Sequence, residues 1–241
     1  MAVITFTMDE RPVSASEEQT LLDVAREHGI RIPTLCHLDG LSEAAACRLC
    51  LVEIAGSSKL QPACIARPIE GMEVTTHTAA LAAYRRQIVE LLLAERTHVC
   101  SVCVTNTHCD LQDLAAEFEL HHVRYPRQAP LLPLDASHQR FVLDHNRCIL
   151  CARCVRACGE IEGAATLDIM ARGEHARVIT DMNQPWAAAT TCTGCGKCVH
   201  VCPTGALFEK GARPTDERQD RRFIAYLKTA REKKLWIASP T

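Results

Sequence analysis

Fifteen cysteines are spread along the 241 residues, and their spacing divides them into four groups. The first is Cys36, Cys47, Cys50 and Cys64; the second Cys100, Cys103 and Cys109; the third Cys148, Cys151, Cys154 and Cys158; the fourth Cys192, Cys195, Cys198 and Cys202. Thiolates are soft metal ligands, and two of them separated by two residues reach one centre from a single tight loop. Three groups hold the four cysteines that a 2Fe-2S or 4Fe-4S cluster takes, whereas the second holds three and must borrow a ligand. A row of such clusters is a path for electrons, because each spreads an added electron over several metals with little change of geometry. An odd number of cysteines with no secretory signal ahead of them argues against a disulfide framework and for a reducing compartment.

The third and fourth groups carry the strongest signal. HNRCILCARCVRACGEIEGA and TTCTGCGKCVHVCPTGAL share the spacing C-x2-C-x2-C-x3-C, an internal repeat that implies a pseudo-symmetric unit. Three cysteines so spaced wrap one face of a 4Fe-4S cube and leave its fourth corner to a ligand from elsewhere. Zinc also accepts C-x2-C pairs, but paired runs of this kind are rare in zinc sites. The runs resemble those of two-cluster bacterial ferredoxins, in which the fourth cysteine of each run serves the other cluster. That resemblance implies one 4Fe-4S cluster on Cys148, Cys151, Cys154 and Cys202, and a second on Cys158, Cys192, Cys195 and Cys198. Pro203 follows the last cysteine as in that run, while Gly159 stands after Cys158, a minor departure.

The first group is looser than the plant-type C-x4-C-x2-C spacing but keeps a central C-x2-C and a distant fourth cysteine, which suggests a 2Fe-2S cluster. Ala44, Ala45 and Ala46 are small enough to let backbone amides approach the sulfurs and tune the potential. A structural zinc is the competing reading. For the second group the candidate fourth ligands are His98, two residues before Cys100, and His108, beside Cys109; His121 and His122 lie farther along. His98 is favoured, since it stands at the start of the cysteine loop, where one ring nitrogen binds iron while the other finds a hydrogen-bond partner. Histidine ligation would raise that cluster's potential above its all-cysteine neighbours, as in Rieske centres.

The elements that must position these ligands follow from pattern. Residues 2–8 alternate apolar and polar, Asp9 to Pro12 turn the chain, and a helix capped by Thr20 and ended by Gly29 follows, as in a β-grasp fold. Leu51 to Ile54 and Met72 to Thr75 supply further strands. From Ala79 to Glu95, Leu81, Tyr84, Ile88, Leu91 and Leu92 form an apolar helical face, with Arg85, Arg86 and Glu90 opposite. A second helix is expected over Leu111 to Leu120, and Pro126, Pro130 and Pro133 mark an extended connection. After Gly211 the chain is polar until Phe223, Ile224, Tyr226, Leu227 and Trp236, read as a basic helix packed on the body of the protein.

The expected class is therefore α+β, with modules in series. A β-grasp 2Fe-2S ferredoxin module (1–78) is followed by a helical 4Fe-4S module held by one histidine and three cysteines (79–125) and a Pro-rich connection (126–139). A two-cluster 4Fe-4S ferredoxin-like module (140–211) and a helical tail (212–241) complete the chain. Modules this small rarely bury enough apolar surface alone, and a bound cluster supplies the missing folding free energy. Aromatic residues make up only 4%, in keeping with centres filled by clusters and aliphatic side chains. Lys plus Arg (27) nearly balances Asp plus Glu (29), so no field favours nucleic acid or anionic membrane. The N-terminus has no signal-peptide pattern and no run of 18 apolar residues occurs, which reads as a cytoplasmic protein.

The order of motifs resembles the small diaphorase subunit, the HoxU type, of bidirectional NAD-linked nickel-iron hydrogenases. It is also similar to the N-terminal parts of the complex I large iron-sulfur subunit and of multi-cluster iron-only hydrogenases. The stretches PTLCHLDGLSEAAACRLCLVEI, THVCSVCVTNTHCDLQDLA, NQPW and CTGCGKCVHVCPTGALFEKG carry the likeness together with the first ferredoxin run. The complex I pattern has its histidine four residues before the first cysteine, where Arg96 stands here; His98 matches the hydrogenase-diaphorase position. The resemblance implies an electron-transfer subunit in a hetero-oligomer, between a flavin/NAD-binding diaphorase subunit and the small and large subunits of a nickel-iron hydrogenase. No Gly-rich phosphate loop and no further thiolate set for nickel is present, so nicotinamide, flavin and hydrogen chemistry fall to partners and no catalytic residue is expected. Alternatives are the same wire in a complex I-like or formate dehydrogenase assembly, or a free multi-cluster carrier.

Overall fold

The computed structural model describes residues 3–127, 132–216 and 221–233. β1 (Val3–Met8) and β2 (Arg11–Ser16) form a hairpin whose register runs from Val3↔Ser16 to Met8↔Arg11. Its turn is shorter than the sequence suggests. Asp9 and Glu10 both adopt positive φ (49° and 64°), a two-residue turn whose twist matches the strands, so Arg11 and Pro12 are already paired. Pro12 is tolerated because β2 lies at the sheet edge. α1 (Leu21–Glu27) opens on a capping box in which Thr20 and Asp23 satisfy each other's backbone amides.

β3 (Leu51–Ile54), β4 (Gln61–Pro62) and β5 (Glu73–Thr75) complete a five-stranded mixed sheet of order β2-β1-β5-β3-β4, with β1 and β5 parallel. Phe6, Met8, Leu21, Leu22, Val52 and Val74 fill the core between α1 and this sheet. The long segment between α1 and β3 is left free of regular structure, and it carries Cys36, Cys47 and Cys50.

α2 (Ala79–Glu95), capped by Thr78, spans the expected residues and buries the expected face only in part: Leu81 is buried and Ile88 and Leu92 pack on a core. Tyr84 and Leu91 are 49% and 45% exposed, whereas Arg85 and Glu90 are 4% and 0% exposed. The reason is tertiary. Arg85 threads into the first module and donates to the carbonyls of Leu49 (3.1 Å), Leu51 (2.9 Å) and Thr76 (3.0 Å), and Glu90 receives Arg124 at 2.7 Å. α3 (Asp110–Glu117) stops before the predicted Leu120, because Glu119 takes a left-handed φ of 51°. Leu120 and Glu119 then donate to the carbonyls of Ala115 and Ala116, a Schellman ending.

β6 (Leu134–Asp135) and β7 (Phe141–Asp144) precede the first cysteine run of the ferredoxin-like module. α4 (Arg153–Arg156) continues into a π-helical turn over Ala157–Glu162. β8 (Leu167–Met170) pairs with β9 (Arg177–Thr180), then α5 (Lys197–Val201) leads to β10 (Leu207–Glu209), which pairs with β7. The two runs diverge where the sequence departs: Pro203 ends α5 at Cys202, whereas Gly159 lets the chain wind on through Cys158. α6 (Arg222–Glu232) packs on this unit through buried Ile224 and Ala230. It lies so close that a Cβ on Gly40 would stand 2.8 Å from the Ala225 Cα. Trp236 and Pro130 lie outside the described residues.

Candidate iron-sulfur centres

The first four thiols meet at the mouth of the β-sheet. Cys36 and Cys47 are hydrogen-bonded to one another, as are Cys50 and Cys64, and the second pair feels the charge of Cys36. Backbone amides point at the sulfurs: Leu35 N lies 3.4 Å from Cys47 Sγ and Cys47 N lies 3.5 Å from Cys36 Sγ. The small Ala44–Ala46 stretch is what allows the Ala46 and Cys47 amides to approach Cys36. The Cys47 thiol, aided by these amides and by Arg156, brings Cys36 down to about 5 against its burial. Cys64 similarly brings Cys50 to about 7. His37 is buried beside them, with Nδ1 2.9 Å from Glu43 and Nε2 2.9 Å from Asp39. Burial opposes its charge, but those two carboxylates outweigh it and raise His37 to about 9.

The second group lies between α2 and α3. α2 ends at Arg96, whose extended backbone leaves the last carbonyls of the helix open. One ring nitrogen of His98 hydrogen-bonds the Leu92 backbone. Its Nε2 is buried with no hydrogen-bond partner among the described residues. Burial first of all drives His98 down to about 4, so the imidazole is neutral and its free nitrogen carries a lone pair at pH 7. Cys103 and Cys109 are buried and Cys100 partly so, and desolvation pushes Cys109 up to about 12. Of the other candidates, His121 and His122 are exposed and His108 is half-buried. Gly205, from the far end of the chain, closes on this group: a Cβ there would stand 2.4 Å from Cys103 Sγ.

The third and fourth groups exchange a member, as two-cluster ferredoxins do. Cys148, Cys151 and Cys154 line one small cavity with Cys202, and Cys192, Cys195 and Cys198 line another with Cys158. The loops that wrap the cavities are alike in conformation. Leu150 (φ 53°) and Ala152 (φ 58°) in one run match Gly194 (φ 68°) and Gly196 (φ 75°) in the other. Leu150 N points at Cys148 Sγ from 3.4 Å, and Trp186 Nε1 donates to Cys192 Sγ at 3.3 Å. Trp186 packs at a tilt against His138 and Phe141, ring centroids 4.9 and 5.7 Å away, and walls the second cavity. Desolvation raises Cys148 to about 12 and Cys151 to about 11, and raises Cys154 and Cys198 further. Buried thiols so reluctant to ionise give up their protons to a metal, and amides aimed at sulfur then stabilise the thiolates.

The donor sets fit iron-sulfur centres. Three sets are all-thiol, the second has three thiols and a buried imidazole nitrogen with no partner among the described residues, and the two cavities are lined mostly by apolar side chains. No group of three or more His, Cys, Asp or Glu among the described residues is disposed to hold a single metal ion. What sequence reasoning missed are the residues that join the sets. Arg153 donates to the His37 carbonyl (2.8 Å) and to Asp110 (3.0 Å), and Arg221 bonds the same Asp110 at 2.7 Å. Asp110 in turn follows Cys109 and donates from its amide to the Pro203 carbonyl at 3.0 Å. No local spacing marks such residues, since their partners lie in other modules.

This succession defines a multi-cluster iron-sulfur protein of the kind found in nicotinamide-linked oxidoreductases. Residues 1–79 match the 2Fe-2S iron-sulfur cluster binding domain and residues 85–124 the NADH-ubiquinone oxidoreductase-G iron-sulfur binding region. Residues 140–208 match the ferredoxin-like domain of NADH-quinone oxidoreductase subunit 3, and residues 184–234 the 4Fe-4S dicluster domain. The NADP-reducing hydrogenase subunit HndD of Solidesulfovibrio fructosivorans is 37% identical over 220 residues, 87% of this chain and 36% of that protein. The chain thus spans about a third of that relative's length. The NAD-reducing hydrogenase HoxS subunit gamma of Cupriavidus necator is 32% identical over 86% of this chain and 87% of its own. A chain in the crystal structure of NAD+-reducing NiFe-hydrogenase in the H2-reduced state superposes with a TM-score of 0.83 at 35% identity, covering 92% of this chain and 94% of that one. The chain belongs to the family of NAD-reducing hydrogenase gamma subunits.

Proposed function

We propose that the chain is the iron-sulfur electron-transfer subunit of a hetero-oligomeric NAD-reducing hydrogenase. It relays electrons in either direction between a nickel-iron hydrogenase module and a flavin/NAD-binding diaphorase subunit, and has no substrate-converting site of its own. The observation that carries this reading is the end-to-end likeness to the HoxS gamma subunit and to a chain of the NAD+-reducing NiFe-hydrogenase structure. It is supported by four ligand sets, each backed by amides, burial or an orphaned nitrogen.

We assign a 2Fe-2S cluster to Cys36, Cys47, Cys50 and Cys64, and 4Fe-4S clusters to His98, Cys100, Cys103 and Cys109, to Cys148, Cys151, Cys154 and Cys202, and to Cys158, Cys192, Cys195 and Cys198. Such centres, when bound, supply reversible one-electron redox change with little movement of atoms. The residues of the chain hold the thiolates, aim amides at them and keep water from the cavities. The modules divide at about residues 78, 125, 139 and 211, and the assembly is cytoplasmic; no helix among the described residues is long and apolar enough to cross a membrane. The matches to NADH-quinone oxidoreductase regions favour a second reading, the same relay in a complex I-like assembly.

The test is to purify the native complex anaerobically and measure iron, nickel, flavin and acid-labile sulfide together with hydrogen-dependent NAD reduction. Nickel, flavin and hydrogen-driven NADH formation in one sample are expected. Flavin without nickel moves the relay to another donor module, and iron-sulfur alone in a monodisperse single chain leaves a free carrier.

A further inference from the structure

The short helix α4 does more than wrap one cavity. It presents Arg153 and Arg156, three residues apart, toward the loop that carries Cys36. Arg153 is tied to the His37 carbonyl and to Asp110, so its charge is paired. Arg156 is bonded differently. Its Nη2 donates to the Cys36 carbonyl at 2.5 Å and to the Cys151 carbonyl at 3.3 Å, its Nε to Ala152 O at 3.3 Å, and its Nη1 to the Ser42 carbonyl. One guanidinium therefore spans a thiol residue of the first set and a thiol residue of the third. All four acceptors are neutral carbonyls, so among the described residues no bonded carboxylate cancels the charge. Arg156 is half-buried, with Ser42 and Glu160 exposed at the outer edge of the junction; a fixed positive charge there stabilises a neighbouring centre that gains an electron.

We infer that Arg156 is a positioning residue shared by two centres: it holds the Cys36 and Cys151 loops at one spacing, and its charge raises the reduction potential of both. The inference rests on the ligand sets proposed above. Each transfer across this junction moves one electron, so that one centre is oxidised as the other is reduced. No bond forms or breaks.

Glu160, one turn farther on, supplies the opposite charge at the same junction. Its Oε2 accepts from Ser42 N at 2.8 Å and its Oε1 from the Ser42 hydroxyl, on the residue whose carbonyl Arg156 holds. The two side chains thus allow changes of opposite sign at one place. Both substitutions remove hydrogen bonds, so loosening of the loops alone would act in the same sense in each.

The experiment is an EPR-monitored redox titration of the cluster-loaded full chain in wild-type form and as Arg156→Gln, Arg156→Lys and Glu160→Gln. Arg156→Gln is expected to move the midpoint potentials of the 2Fe-2S centre and of the 4Fe-4S centre on Cys151 to more negative values. Arg156→Lys should return both most of the way, and Glu160→Gln should move both to more positive values. Intact clusters whose potentials do not move, or move in the same direction in both Gln variants, overturn the assignment. Should Arg156→Gln lose its clusters, Glu160→Gln decides by the same criterion. A loaded wild-type chain with no 2Fe-2S signal overturns the ligand sets themselves and this inference with them.

Discussion

His98 is defined by the nitrogen it leaves over. Its other nitrogen satisfies a helix-end carbonyl, and a buried ring atom without a partner costs about 1–3 kcal/mol unless something binds it. The sequence offered several histidines near the second cysteine group, and only burial separates them. With iron as that partner, His98→Cys should keep a 4Fe-4S centre and shift its midpoint potential to more negative values, because imidazole ligation raises the potential. Redox titration of the variant checks this; an unchanged potential would point to His108 as the ligand. At the same scale, Leu150 and Ala152 occupy left-handed positions that glycines fill in the second run. The wrapping loop is needed strongly enough for two non-glycine residues to accept that backbone.

Among the elements, α2 shows how a correct boundary can go with a face only partly foreseen. Seventeen residues form the helix, and yet two of its charged residues are buried while Tyr84 and Leu91 face solvent. Arg85 is held by carbonyls of the first module, and Glu90 anchors the backbone and side chain of Arg124. Arg124 holds the Glu90 carboxyl down to about 2, below its ordinary 4.5. A depressed carboxyl stabilises the fold fully above the unfolded value and loses that contribution as pH falls toward the folded one. The stability gap between wild type and Glu90→Gln should therefore be constant from pH 8 to about pH 5 and close between about pH 4.5 and pH 2. Hydrogen exchange of residues 118–125 against pH reads the anchor directly, and a gap that widened in acid would contradict it.

The whole molecule is a set of small units pinned at their cluster loops. Arg153, Asp110 and Arg221 tie the 2Fe-2S loop, α3 and the C-terminal segment to one carboxylate, and α6 seals the Gly40 loop. Gly205 makes the tightest of these junctions, where the turn after Cys202 rests on Cys103 Sγ. Gly205→Ala should overpack that contact at a cost of about 1–3 kcal/mol and loosen the centre proposed on His98 and Cys103 while sparing the other three proposed centres. Iron and sulfide per chain, with EPR to identify the missing centre, measure it; four full centres in the variant would show that the loops part without penalty.

The sequence by itself determined the cysteine loops and most helices and strands, because ligand spacing, caps and apolar periodicity act over a few residues of covalently linked chain. The turn at Asp9–Glu10 and the end of α3 at Glu119 differ by only a few residues from expectation, since backbone choice at an element's end is a small energy. The crossed pairing of Cys202 and Cys158 was legible only through likeness to ferredoxins. In the molecule it depends on α4 and α5 packing side by side around Trp186, Phe141 and Val199. Tertiary structure alone decided which charged residues of α2 are buried, which histidine beside the second cysteine group is left with an unpaired buried nitrogen, and where Arg153 and Arg156 reach. Those are matters of long side chains bonding backbone far away in the chain, where the penalty for a buried unpaired group selects the partner and local pattern carries no record of it.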